Sequence, residues 1–328
     1  MKVAVIIPNW NGASLLPTCL DSLRAQTLMP ADILVVDNAS TDDSVEITRR
    51  NYPEVRLISM PTNRLFAGAV NEGIHHTDAD LIALLNNDTE ADSLWLAEIC
   101  RALDNRPEAG FAASKMLLFD RRNVINSAGD FYRVDGVPGN RGVWEEDTGQ
   151  YDQEGHVFGA CAGAAAYRRS MLSDIGLFDE DFVAYAEDVD LSFRAQLAGY
   201  RCVFVPTAIV YHRLSATGGG DVASYYCGRN FIGILAKDMP GPLLRKHWRR
   251  IIAAQLAFSW ESILHIGESA ARARLRGQLA GLLQLPCALS KRRAAQQTRR
   301  VGLDYVESIL SRPSNTRARK TQIERPGY

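Results

Sequence analysis

None of the six cysteines, Cys19, Cys100, Cys161, Cys202, Cys227 and Cys287, lies in a C-x-x-C pair, so no paired-cysteine motif is present. The chain opens on the apolar stretch Val3-Ala4-Val5-Ile6-Ile7 and shows no secretory signal, and its scattered thiols are expected to stay reduced in the cytoplasm. No uninterrupted apolar run approaches the ~18 to 20 residues that cross a bilayer, which argues against an integral membrane protein. Asn9 to Ser14 holds no Lys or Arg, so the basic Gly-rich phosphate loop of a nucleotidyltransferase is missing. Net charge is also small, at −1, but it averages two unlike parts. Residues 1–240 hold 20 Lys and Arg against 33 Asp and Glu, and residues 241–328 hold 17 against 5, giving −13 and +12.

What is present is an α/β pattern. At 328 residues the chain is long enough for one large domain with an appendage. Strand-like runs at Val3–Ile7, Ile33–Val36, Val55–Ser59 and Leu81–Leu85 alternate with helical patterns over Leu15–Gln26, Ser44–Asn51 and Ala67–His76. That order predicts a mostly parallel sheet covered on both faces. Residues 119–156 lose the periodicity and read as an irregular insertion or lid. Regular structure is expected to return at Phe158–Tyr167, with a helix near Ser170–Ile175, an acidic helix ending at Ala198, and strands at Cys202–Val205 and Ile209–Tyr211.

Glu187, Asp188 and Asp190 place three carboxylates at the start of that acidic helix. Helix N-termini favour negative charge, so simple capping is one reading. A second acidic site, Asn86-Asn87-Asp88-Thr89, ends an apolar run, and strand ends in open α/β sheets are where ligands bind. Two separated clusters fit a metal site and a base. Asn9, Asn11 and Gly12 follow the first strand, and Asp37, Asn38, Ser40 and Thr41 follow the second, so polar groups are expected along one sheet edge.

Taken in order, the segments Val5-Ile6-Ile7-Pro8-Asn9-Trp10-Asn11-Gly12, Val35-Val36-Asp37-Asn38-Ala39-Ser40-Thr41-Asp42, Asn63 to Gly73, Leu85 to Thr89, Gly176 to Glu180 and Tyr185 to Leu191 resemble glycosyltransferase family 2, in its bacterial rhamnosyltransferase-like branch. The resemblance spans roughly residues 3 to 215 and extends weakly into the basic tail. It implies a GT-A fold, a nucleotide-diphosphate sugar donor, a Mg²⁺ or Mn²⁺ cofactor and inversion at the anomeric carbon. By the same resemblance Asp188 is the general base with Glu187 its neighbour, and Asp88 is the last acid of a DxD-type metal motif whose first position is Asn86 here. His212 reads either as a further metal ligand or as a structural histidine. Asp190 is expected to cap the helix or pair with Arg194 four residues on.

Pro8, Asn9, Asn11 and Asp37 would line the nucleotide pocket, with Arg64 beside the base or diphosphate. Asp37 also reads as an Asx turn opening a helix. Asn63, Gly68, Asn71 and Asn87 belong to the same motifs, although Asn63, Gly68 and Asn71 equally suit close helix packing, and Gly163 with Ala164 would leave room for the donor sugar. Trp10 and Phe66 read as packing residues.

The implied organisation is a catalytic domain over 1–240, with a nucleotide-sugar half to about 118 and an acceptor half to 240, then a basic helical extension over 241–313 and an unstructured tail over 314–328. The implied activity is transfer of a sugar, L-rhamnose from dTDP-rhamnose, to a glycan acceptor that is lipid-linked, in bacterial surface polysaccharide synthesis. A UDP-hexose or UDP-galactofuranose transferase would share every motif, whereas a catalytically silent sugar-nucleotide-binding module should lack one of Asp37, Asp88 and Asp188, all of which are present. Helices over Leu244–Ile266 and Ala270–Leu289 interleave Arg and Lys with apolar residues, which suits an anionic membrane at the inner face of the cell better than nucleic acid. The alternative is packing on the body of the protein or on a second copy in a homo-oligomer.

Overall fold

The computed structural model describes residues 1–213 and 220–312, so the expected tail over 314–328 lies outside the described residues. β1 (Val3–Asn9), α1 (Leu16–Arg24), β2 (Asp32–Asp37), α2 (Ser44–Asn51), β3 (Arg56–Ser59), α3 (Leu65–His75) and β4 (Leu81–Leu85) follow the predicted alternation. β5 (Thr89–Ala91), α4 (Trp95–Asp104) and β6 (Ala109–Leu118) complete this part. The stretch expected to be irregular instead contributes β7 (Ile125–Ser127), β8 (Asp130–Tyr132), β9 (Pro138–Asn140) and β10 (Gly155–Val157). These strands are three residues each, too short for a period-2 pattern to be visible in sequence.

β11 (Ala164–Arg168), α5 (Arg169–Ile175), a single 3-10 turn (Glu180–Phe182), α6 (Glu187–Leu197) and β12 (Arg201–His212) come next. β12 is one strand where two were expected, and it passes through Pro206 with a register shift between Val205 and Ile209. The missing Pro N–H is tolerated at such an irregularity. The C-terminal part is helical: α7 (Gly220–Lys237), α8 (Gly241–Leu264), α9 (Ser269–Leu283), α10 (Leu285–Gln297) and α11 (Leu303–Ile309). The expected helix over 270–289 breaks at Gln284, with Pro286 at the second position of α10, where its missing donor costs nothing.

The main sheet runs β10-β12-β6-β11-β4-β1-β2-β3, with β5 on β12 and β7 on β6, and β8 and β9 form a separate hairpin. β3, β2, β1 and β4 are mutually parallel, and β11 is antiparallel to both β4 and β6. Alternation along the buried strands divides the interior into two cores. Val3, Val5 and Ile7 face α1 and α4 beside Leu20, Trp95 and Ile99, while Ala4 and Ile6 face α3 and α6 beside Val70, Ile74 and Leu191. Because β2 and β4 flank β1, the order in which strands are added reverses there, and the C-terminal ends of β1 and β4 open a crevice.

A third core joins the late helices to the rest. Tyr132, Phe158 and Phe193 pack ring to ring at 5.1–5.5 Å and meet Ile234, Leu235, Met239, Leu243, Val306 and Leu310. α7 and α9 cross closely because their contact is made of glycine. A Cβ at Gly228 would lie 2.6 Å from the Arg274 carbonyl oxygen, and one at Gly281 2.7 Å from that of Arg229. The outer side of this helical layer remains apolar: Ile252, Leu256, Trp260 and Ile263 on α8, and Leu279, Leu282 and Leu283 on α9, are exposed. Among the described residues no helix is long and apolar enough to cross a membrane.

Candidate functional site

The C-terminal ends of β1, β2, β4 and β12 deliver Asn9, Asp37, Asn86 to Asp88 and His212 to one edge of the sheet. Asn9 is 2% exposed and organises the first part of it. Its Nδ2 reaches Asp37 Oδ1 at 3.2 Å and Ser44 Oγ at 3.1 Å, while its Oδ1 accepts from Asn87 Nδ2 at 2.8 Å. Gly12 lies against both amides, so any side chain there would displace them. Pro8 pairs opposite Val36 inside the sheet. Asn11, at φ +52°, accepts from Thr41 N at 2.8 Å. Asp37 accepts from Asn9 and, through Oδ2, from Ser40 N at 3.2 Å, so its carboxylate holds the turn before α2.

The next expected group forms a latch. Arg64 Nη2 donates to both Glu180 oxygens at 2.7 Å, and the Asn71 amide donates to Phe178 O and accepts from Phe178 N. Gly68 leaves room for the Arg64 side chain, and Asn63 Oδ1 accepts from Leu65 N at 2.7 Å. These residues therefore tie the start of α3 to the segment that leads into α6, as Phe66 does by packing edge-on against Phe178. Trp10 is 49% exposed and packs at the rim at most.

Asp88 and His212 are brought together by the antiparallel pairing of β5 with β12, which sets Thr89 opposite His212. His212 Nδ1 lies 2.9 Å from Asn126 Oδ1, and with that carbonyl accepting from Nδ1–H the Nε2 lone pair faces Asp88 Oδ1 at 3.3 Å. The Asp88 Oδ1 and Asn86 Oδ1 atoms are buried and accept no hydrogen bond from the described residues. Buried oxygens without donors, facing a nitrogen lone pair, fit a divalent cation. Among the described residues no third His, Cys, Asp or Glu completes a cluster, so other ligands would have to come from a bound diphosphate. Asn126 lies in the aperiodic stretch, where no sequence signal marks it.

The acidic helix separates its three carboxylates. Asp190 is fully buried; burial alone would raise its carboxyl, but Arg194 at 2.8 Å and Lys237 at 2.5 Å hold it below the usual range. Its expected pairing with Arg194 is present, and Lys237 from α7 is the partner that the sequence did not reveal. Glu187 is 6% exposed, and burial followed by repulsion from Asp188 pushes its carboxyl up to about 8. Asp188 is partly exposed at the crevice; its Oδ2 accepts from Ala162 N at 3.1 Å and burial raises it. Gly163 lies between this carboxylate's support and the metal motif, its Cβ position 3.3 Å from Asn86 Nδ2.

A further carboxylate, Asp130 on β8, faces the same place. Burial first and the charge of Asp188 second raise it well above the usual range, while Asn140 Nδ2 donates to it at 2.8 Å. Asp130 and Glu187, both raised by burial and by Asp188, favour their neutral forms and leave the more accessible Asp188 as the carboxylate placed to accept a proton from a hydroxyl.

Comparison with known proteins places the chain in a family and a fold. A family model described as Glycosyl transferase family 2 matches residues 4–176. An N-acetylglucosaminyl-diphospho-decaprenol L-rhamnosyltransferase of Mycobacterium tuberculosis is 31% identical over 234 residues, covering 63% of this chain and 74% of its own. An O-antigen chain rhamnosyltransferase of Salmonella typhimurium is 25% identical over 244 residues, covering 69% and 71%. Among solved structures, Staphylococcus aureus TarS in complex with UDP-GlcNAc superposes with a TM-score of 0.55 at 16% identity, over 91% of both chains. A mannosyltransferase from Pyrobaculum calidifontis in complex with GDP-Man and Mn²⁺ does so with 0.54 at 18%, over 90% and 85%. At such identities the two structures speak for the fold alone, which is GT-A.

Proposed function

The chain belongs to glycosyltransferase family 2, and from that premise we propose that it is an inverting, metal-dependent transferase moving L-rhamnose from dTDP-rhamnose to a lipid-linked glycan of a surface polysaccharide. The observation that carries this reading is the arrangement at the sheet edge: a cation-ready pair, Asp88 and His212, and an accessible carboxylate, Asp188, supported by the Ala162 amide. The rhamnose and lipid-linked parts rest on the names of the mycobacterial and Salmonella relatives.

Asp88 and His212 would hold Mg²⁺ or Mn²⁺, which as a Lewis acid neutralises charge that develops on the leaving diphosphate. This chain's own residues do the rest. Asn9, Asn87 and the turn held by Asp37 shape the nucleotide end of the crevice. Asp188 takes the proton from the acceptor hydroxyl as that oxygen forms the new glycosidic bond and the sugar–phosphate bond breaks, which inverts the anomeric centre. Burial and the charge of Asp188 raise both Asp130 and Glu187, Glu187 to about 8, which favours their neutral forms beside Asp188.

A panel of dTDP- and UDP-sugars with Mg²⁺ or Mn²⁺ and a synthetic prenyl-diphosphate sugar as acceptor tests the reading. Transfer of rhamnose from dTDP-rhamnose is the expected result. Transfer only from a UDP-sugar would replace the donor and keep the mechanism, and no turnover with tight nucleotide binding would point to a binding module.

A lipid-linked acceptor implies work at a membrane, and the exposed face of α8 and α9 is the surface assigned to it. Arg245, Arg249 and Arg250 precede Ile252, Leu256, Trp260 and Ile263 on the outer side of α8, so basic and apolar contacts lie on one helix. The pair Leu256→Glu and Trp260→Glu is expected to weaken sedimentation with phosphatidylglycerol vesicles at least about tenfold. Unchanged sedimentation rules this face out as the membrane contact; a dimer that dissociates instead would assign it to a second copy.

A further inference from the structure

The segment between the 3-10 turn and α6 has a backbone that ordinary side chains resist. Val183 at φ +69°, Tyr185 at φ +63° and Ala186 at φ +67° are all non-glycine residues in left-handed territory, and Val183 is β-branched. Val183 also sits at the centre of a γ-turn, with Ala184 N donating to Phe182 O at 2.8 Å. Glu187 and Asp188 follow at once as the first residues of α6, so this path sets where both carboxylates point.

Within the segment the γ-turn bond satisfies one carbonyl; the remaining support comes from α7. The Asn230 amide, 2% exposed, directs Nδ2 at three chain carbonyls of the segment, Phe182 O at 2.9 Å, Ala184 O at 2.8 Å and Tyr185 O at 2.6 Å. Arg229 Nη2 adds Asp181 O at 2.7 Å and Phe182 O at 2.6 Å, and Arg229 Nε donates to Asn230 Oδ1 at 2.8 Å, which fixes the amide's orientation. A buried arginine that meets carbonyls rather than a carboxylate is costly; burial lowers its pKa. α7 is itself anchored from both sides, by Lys237 on Asp179 and Asp190 and by the close glycine crossing with α9.

We propose that Arg229 and Asn230 are positioning residues for glycosyl transfer, a clamp through which the C-terminal helices impose the strained 182–186 path and thereby aim Asp188 at the acceptor hydroxyl. The inference rests on the transferase reading above, with Asp188 as base. It also assigns the helical layer a part in catalysis besides any contact with a membrane.

Asn230→Ala and the double variant Asn230→Ala with Val183→Gly test it in the full-length protein. Asn230→Ala is expected to lower kcat about 10²-fold with donor KM nearly unchanged, and to lower Tm. Glycine at 183 accepts φ +69° without a clash, so the double variant should recover Tm but not kcat. Recovery of both would reduce the amide to a device that offsets strain, and an unchanged kcat in Asn230→Ala would remove it altogether.

A readout without substrate separates this inference from the transferase reading. Carboxyl titration by ¹³C NMR should find the Glu187 carboxyl near 8 in wild type and closer to the ordinary range in Asn230→Ala, as the segment opens to water. The groups around Glu187 and Asp188 are Asp130, Asp190, Tyr167, Tyr185, Cys161 and Cys227. Identical titrations overturn the clamp whichever donor proves correct. A shifted titration in a protein inactive with every donor keeps the clamp and discards the transferase reading.

Discussion

Asp188→Asn is expected to lower transfer about 10²- to 10⁴-fold, the usual contribution of a general base, while nucleotide binding and Tm stay near wild type. The substitution keeps the shape and one oxygen, which can accept from Ala162 N or Val189 N but not from both as the carboxylate does, so only a small fall in Tm is expected. It removes the charge and the capacity to take a proton. The pH profile supplies the second arm. Burial raises Asp188, and a base whose pKa is raised becomes ionised only above the ordinary carboxylate range, so the rate of wild type should climb with pH across weakly acidic solution. Asp130, Glu187, Asp190, Tyr167, Cys161 and Cys227 surround this carboxylate; of these, Glu187 ionises near 8 and adds like charge to its neighbour. A variant with wild-type turnover, or a flat profile through that range, would remove Asp188 as the base.

Asp88→Asn is expected to abolish metal-dependent turnover, by about 10³-fold or ~4 kcal/mol of barrier. Asparagine preserves the volume of a residue only 4% exposed but withdraws the single formal charge that the motif offers a cation. Chelation of wild type with EDTA should reproduce the loss, and Mn²⁺ added back with a nucleotide diphosphate should restore it. Electron paramagnetic resonance of Mn²⁺ gives a readout apart from activity: binding in the presence of dTDP should disappear in Asp88→Asn and weaken in His212→Ala. Full activity in EDTA, or unaltered Mn²⁺ binding by Asp88→Asn, would dismiss the pair as a metal site.

Much of this site lies on segments that the sequence marks by itself. Asn9 and Asp37 end, and Asp88 follows, strands whose burial is so continuous that their ends are visible as a change from Val, Ile and Leu to Asn and Asp. Asp188 is visible because three carboxylates in four positions begin a helix. Asn126 and Asp130 are not, since each belongs to a three-residue strand in a stretch without period, and the groups that give them meaning, His212 and Asp188, lie far along the chain. α7 was also missed. Its apolar residues face two sides at once, toward α9 and toward the third core, so no single helical stripe stands out.

The sequence by itself determined the α/β alternation, the edge of the sheet on which polar groups collect, and three of the acids there, Asp37, Asp88 and Asp188. These follow from period-2 burial and from polar residues at strand ends, both properties of a few neighbouring residues. Only the tertiary structure decided that His212 faces Asp88, that Arg64 and Asn71 latch onto the Phe178–Glu180 segment, and that α7 holds the backbone before Asp188. Those pairings join residues tens of positions apart, and they exist because burying an unpaired carbonyl, guanidinium or carboxylate is costly enough that the fold must bring it a partner from elsewhere.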